Sequence, residues 1–256
     1  MSGSLAFLKK EFKEILRTYK IWMVPLIFLF FGFLSPIVVK VLPDLLKPQL
    51  EAQKIFIEIP APTAIDAFLQ YFKNLAQIGM LAIILISMGL ISEEKTKGTL
   101  PLVLAKPVSR PAVVTSKFLA HASLILGSIL VGAIGCYLYT TVLFEGANFS
   151  KFAQGTVLYL IYSLLTLTIT LFFSTLFSNQ IAAGGLSLIV YFSLSILPSV
   201  NKSFAKYSPH SLTSYANKIV TADVSFSKSY WPVAVLLVFV IFLLTLSSII
   251  FSRQEL

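Results

Sequence analysis

Residues 152–177, FAQGTVLYLIYSLLTLTITLFFSTLF, run for 26 residues without one aspartate, glutamate, lysine, arginine or histidine. A helix needs about 20 predominantly apolar residues to cross the hydrocarbon core of a bilayer. The run is too long and unbroken for barrel strands, which alternate over about ten residues, and a chain in lipid must satisfy its backbone internally. Five more runs of this kind occupy residues 21–42, 75–91, 118–144, 181–200 and 231–251. The composition agrees: 12% of residues are charged and 57% hydrophobic, against about 25% charged in a soluble domain, and the mean hydropathy is +0.87. The sequence predicts an all-α membrane protein with six transmembrane helices in a single domain over 1–256. The first apolar run follows a charged segment and exceeds a signal-peptide core of about 7 to 15 residues, so it is expected to stay in the protein.

Ahead of the first span, in residues 4–20, Leu5, Leu8, Phe12, Ile15 and Tyr19 recur at three- and four-residue steps. Lys9, Lys10, Lys13, Glu14 and Arg17 fall largely on the other face. This pattern predicts an amphipathic helix lying in the headgroup plane. Six spans put both termini on one side. The lysines and arginines of the N-terminal segment, with Lys95, Lys97, Lys106, Arg110 and Lys117, favour the cytoplasm for that side.

The net charge of +9 suits lysines and arginines flanking spans beside anionic lipid rather than nucleic-acid binding. Cys136 is the single cysteine, so neither a disulfide framework nor a cysteine metal motif is expected. Ionisable residues deep in spans mark proton or ion coupling. Here Lys40 and Glu145 fall near span ends, and His121 lies about a turn into the third span, where packing is its expected role. A proton-coupled carrier is therefore disfavoured. No acid or histidine shares the depth of the span hydroxyls to act as a base, and no zinc-protease or P-loop motif occurs. Work done by this chain must be energised by another polypeptide.

The spans do carry hydroxyls. Ser163, Thr166, Thr170 and Ser174 form a stripe down the fourth, and Gly184, Ser187, Tyr191 and Ser195 repeat the idea in the fifth. Two readings stand: hydroxyls bonding back to their own helix as packing elements, or a mildly polar translocation path. Ser128 and Gly132 form a small-residue packing notch, while Pro25 and Pro36 should kink the first span or mark its ends. Outside, residues 43–73 open as a proline-rich loop. Thr63 and Asp66 then resemble a helix start, and the pattern Ile65, Phe68, Leu69, Phe72 runs straight into the second span. Residues 201–230 are too polar to span and are either a partly inserted helical hairpin or a surface loop.

Between the second and third spans lies residues 92–116, SEEKTKGTLPLVLAKPVSRPAVVTS. Glu93 and Glu94 end the span at water and Gly98 breaks the direction of the chain. Thr99 to Ala105, with Leu100 and Leu102, makes a short apolar helix stopped by Lys106 and Pro107. Ser109 can cap the helix starting at Arg110 and Pro111. A short apolar helix bracketed by charges is a docking element, its greasy side for a partner's groove and Glu93, Glu94 and Arg110 for charged contacts around it.

The pattern of two acids, Gly98-Thr99-Leu100, a short helix, Lys106-Pro107-Val108-Ser109-Arg110 and then Lys117 resembles the type 2 ABC transporter permeases, membrane subunits of bacterial exporters. The resemblance implies that the loop is a coupling helix inserting into a separate ATPase subunit, with Glu93, Glu94, Gly98, Thr99, Leu100, Leu102, Lys106 and Arg110 as the coupling residues. It also implies a multi-pass protein of the bacterial cell membrane with cytoplasmic termini. Two permease copies would pair with two ATPase subunits, and ATP and magnesium would be bound by the partner, with no cofactor in this chain. The connection Ser178-Asn179-Gln180 departs from a two-contact scheme by offering little surface for a second coupling contact. The expected cargo is an amphipathic peptide or hydrophobic drug. A membrane anchor recruiting a soluble partner, or an ion-coupled carrier, are the alternatives.

Overall fold

The computed structural model describes residues 3–52, 60–100, 108–200, 208–222 and 224–254, and every regular element among them is helical. Helix α1 spans Gly3–Arg17 and α2 Lys20–Ala52. α3, Ala64–Asn74, passes through a π-helical turn at Leu75–Gly79 into α4, Met80–Ser87, and the short α5 is Ser92–Thr96. α6 is Arg110–Leu143, α7 Phe149–Leu176, α8 Gln180–Val200, α9 Ser211–Ala222 and α10 Tyr230–Arg253. Among the described residues five helices are long and apolar enough to cross a membrane, and a shorter apolar stretch at Gln180–Ile196 accompanies them.

Local chemistry sets several of these boundaries. At α3 the Thr63 side chain accepts from the Asp66 N–H while an Asp66 oxygen accepts the Thr63 N–H at 2.9 Å, a reciprocal cap. Asn148 caps α7 by accepting from Lys151 N–H at 3.1 Å. Ser109 sits at the cap position of α6, but its side chain makes no capping bond there. The first apolar helix differs from expectation. It continues ten residues past Leu42 to Ala52, through Pro25, Pro36, Pro43 and Pro48. A proline removes one N–H and disfavours helix just before itself, hence the shorter expected span. Pro43 and Pro48, however, free carbonyls at the exposed end of α2, where water can pair them. The helix of 33 residues is about 50 Å long at 1.5 Å per residue, well beyond a hydrocarbon core of about 30 Å. The third span likewise starts at Arg110 rather than Phe118.

α7 is the central helix: 67% of its apolar window is buried, against 28% for α2 and 22% for α10, which lie at the periphery. α2 runs along α6 at a backbone-to-backbone crossing. A methyl group on Gly32 would stand 2.3 Å from the Gly132 carbonyl, and one on Gly132 would stand 2.5 Å from the Phe28 carbonyl. Close approach through small residues is how helices associate without a hydrophobic drive in lipid. At the opposite end from the termini, Phe68, Phe72, Phe152 and Tyr159 stack, with centroids 4.3 Å apart for Phe68–Phe152 and 4.9 Å for Phe72–Tyr159. α9 buries Leu212, Ala216, Ile219 and Val220 and packs on α7; the middle of the 201–230 segment is thus a docked helix, while residues 201–207 lie outside the described residues. The π turn is held by the Tyr191 hydroxyl, which donates to the Ala76 carbonyl, and by Asn74 Nδ2 donating to Ser35 Oγ at 2.9 Å beside it.

Candidate functional site

At the end of the bundle that carries both termini, α1, α5, the first turns of α6 and the ends of α7 and α10 converge. The Met88–Ser92 turn that leads from α4 into α5 is fastened to α7 by one side chain. Ser174 Oγ accepts the N–H groups of Ile91 at 2.9 Å and Ser92 at 3.0 Å, donors that the irregular turn leaves free, and bonds Ser92 Oγ at 3.3 Å. Further along α5, Lys95 donates to the Thr175 carbonyl and Thr96 to the Ser178 carbonyl. Gly98 then reverses the chain at φ +64°, with its N–H on the Lys95 carbonyl at 3.1 Å. A left-handed residue just past a helix is the standard use of glycine, which has no Cβ to clash.

Glu94 points back into the protein. Its Oε1 lies 2.8 Å from the Lys117 ammonium on α6, which also lies 3.3 Å from Glu11 Oε2 on α1. Lys117 and Glu11 are almost fully buried, at 3% and 2% side-chain exposure, so this pair is held out of water. Lys10 completes the cluster, 2.9 Å from Glu11 and 2.7 Å from Glu14. Burial works against the Lys10 ammonium, but its hydrogen bonds to Glu14 and Glu11 outweigh that and hold its pKa above the usual lysine range. Burial also disfavours the Glu14 carboxylate, and Lys10 overcomes it, so Glu14 stays below its ordinary 4.5. Glu93 turns outward to Lys97 at 2.6 Å.

The far side of the loop is clamped as well. One Arg110 guanidinium nitrogen donates to the carbonyls of Phe251 (3.3 Å), Ser252 (3.0 Å) and Gln254 (2.6 Å), pairing the last acceptors of α10. The Gln254 side-chain amide in turn donates to the Thr175 carbonyl at 3.0 Å. Of the expected coupling residues, Glu94 and Arg110 are thus engaged within the chain, Glu93, Gly98 and Thr99 are exposed or half-exposed, and Leu100 is buried. Leu102 and Lys106, with most of the expected 99–105 helix, lie outside the described residues.

The hydroxyl stripe is placed inside the bundle. Ser163 donates to the Leu160 carbonyl, Thr170 to Thr166, Ser187 to Ala183 and Ser195 to Tyr191, all within their own helices. Thr166 contacts the Met80 sulfur at 3.5 Å. Ser163, Thr166, Thr170, Ser174 and Ser187 are buried, and these contacts are the ones that hydroxyl packing requires.

The sequence reading places Lys10 only on the polar face of the N-terminal helix and does not pick out Glu11 or the tail at Gln254. A signal was present for Glu11: it falls one turn from Phe7 and from Ile15, and those three residues are the buried line of α1. Leu5, Phe12, Leu16 and Tyr19 remain exposed, so the helix buries the border of its apolar face and leaves the face itself exposed.

A family model described as "ABC-2 family transporter protein" matches residues 5–256. The chain is also 26% identical over 227 residues to "Uncharacterized transmembrane protein YxlG" of Bacillus subtilis (strain 168), covering 86% of each chain. The match takes in every described helix that meets at the charged junction, and this chain belongs to the ABC-2 family of transporter proteins.

Proposed function

We propose that the chain is the permease subunit of an ATP-driven exporter, drawing its energy from a separate ATPase subunit that binds ATP and magnesium. Family membership supports a membrane subunit of an ABC transporter. The observation that carries the finer reading is the fastening of the 92–110 loop at both ends: to α7 through Ser174, to α6 and α1 through Lys117, and to α10 through Arg110. A push on the exposed tip around Gly98 and Thr99 is transmitted to four helices at once, which is how a small displacement becomes a rigid-body rearrangement.

In this reading Leu102 supplies the apolar contact to the ATPase and Glu93, Thr99 and Lys106 its polar rim, while Glu94, Gly98 and Arg110, with Leu100 packed into the chain's own core, hold the shape of the loop. Two copies of the chain face each other within the cell membrane with their termini in the cytoplasm. The cargo is an amphipathic peptide or hydrophobic drug, a class that suits an interior of apolar side chains with few charges. Co-purification with a candidate ABC ATPase from the same organism, followed by ATPase assays across peptides, lipids and drugs, tests the assignment. Stimulation by an amphipathic compound supports it; an ATPase that neither binds nor responds to the chain refutes it.

A further inference from the structure

A cavity of about 850 Å³ lies between α1 and the bundle, lined by Phe7, Glu14, Lys20, Glu93, Glu94 and His121 among others. Two features of its wall are unmet. The Lys20 ammonium makes no hydrogen bond or ion pair among the described residues, although Glu93 and Glu14 are the carboxylates that act on it most at longer range. Glu94 Oε2 is buried without a donor, which is costly for a carboxylate oxygen. Four lysines and four glutamates line the space, so it does not select a simple anion: a phosphate drawn to Lys20 meets Glu14 and Glu93 beside it. Their balance fits a ligand carrying both signs.

Position narrows the source. The exposed side of α1 shows Leu5, Phe12, Leu16 and Tyr19, and Trp22 follows at 75% exposure. Aromatic and aliphatic side chains so arranged sit at headgroup depth, which puts the cavity behind α1 at that same depth. We propose that it holds the headgroup of a zwitterionic lipid with a primary amine, a phosphoethanolamine, its phosphate on Lys20 and its ammonium on the glutamates. The primary amine matters because a quaternary ammonium of equal charge has no N–H to give the carboxylates.

The test is native mass spectrometry of the full chain released from vesicles that contain phosphatidylethanolamine, phosphatidylcholine and phosphatidylglycerol in equal amounts. Retained ethanolamine lipid should exceed choline lipid about tenfold, the worth of one charge-assisted hydrogen bond. Lys20→Gln, which breaks no ion pair, should lower retention of both lipids about tenfold and leave their ratio unchanged, because both carry the phosphate, whereas Glu14→Gln combined with Glu93→Gln should bring the ratio near one with phosphate contacts kept. Equal retention of the two lipids overturns the proposal, as does undiminished retention of both in the Lys20 variant. Displacement of the lipid by millimolar soluble phosphoethanolamine contradicts the lipid source.

Discussion

The Lys117 ammonium lies 2.8 Å from Glu94 Oε1, so the base of the cytoplasm-facing loop proposed here is tied to the start of the longest helix by an ion pair with one partner fully enclosed. Because Lys117 also holds Glu11 at 3.3 Å, its removal would leave Glu11 to Lys10 alone, at 2.9 Å, and would take from Glu94 its nearest cation.

That sets the first expectation. Lys117→Met should destabilise the protein by about 1–3 kcal/mol, the cost of losing a charged hydrogen-bond partner from carboxylates that keep Lys10 nearby. Pairing it with Glu11→Gln should recover much of the loss, because the two changes act on one interaction. Thermal unfolding in detergent of the single and double variants measures this; additive losses would show that the pair is not coupled.

The α2–α6 crossing gives a second, independent expectation. Gly132→Ala sets a methyl group against the Phe28 carbonyl and Gly32→Ala sets one against the Gly132 carbonyl, while a Cβ on Gly127 meets nothing within 4 Å. The first two should each cost about 1–3 kcal/mol as overpacking forces the helices apart. Gly127→Ala, on the same helix, should be neutral or slightly stabilising. Equal effects at 127 and 132 in a thermal melt would exclude the close crossing.

A third concerns pH. Burial holds the His210 imidazole below its ordinary value of 6.5, and the neutral ring bonds the Tyr162 hydroxyl at 3.0 Å. As pH falls the unfolded chain takes up this proton before the folded one. The His210 contribution is therefore complete above pH 6.5 and is lost progressively below it, toward the folded value. Unfolding midpoints measured from pH 8 down to 5 should fall more steeply for the wild type than for His210→Gln. Parallel curves would show that the ring is not held neutral.

The helices that cross the bilayer were legible in the sequence because in lipid a long apolar run has few other solutions. The cap at Thr63 and Asp66 was legible for the same local reason, two side chains three residues apart. The continuation of α2 to Ala52 was not, since it depends on whether water reaches the carbonyls that Pro43 and Pro48 free, and the sequence pattern does not say so. The loop was visible from its charges. Where those charges go was not: Glu94 meets Lys117 across 23 positions and Arg110 meets Gln254 across 144, and pairings of that reach depend on how the helices pack. Ser174, one member of a regular stripe, fastens the α5 turn for a reason no spacing shows, because the N–H groups it accepts are freed only when the chain leaves the α4 helix.

Gly98 offers a fourth expectation. At φ +64° it occupies backbone that proline cannot adopt, so Gly98→Pro should displace the loop tip while the helices, fastened elsewhere, stay folded. In complexes with the ATPase it should separate ATP hydrolysis from transport, as should Glu94→Arg, which sets a third cation beside Lys117 and Lys10. Normal coupled transport in both variants would remove the loop from the mechanism.

The most direct measurement is accessibility of the loop tip with and without the ATPase. Cys136 is the single native cysteine and is buried, so Thr99→Cys supplies one exposed thiol at the tip. Maleimide labelling of that thiol in membranes should be fast for the chain alone and should slow at least about tenfold when the ATPase is bound, since docking buries it. Labelling that proceeds at the same rate in the assembled complex would contradict the account: the partner would then engage the permease somewhere other than this loop.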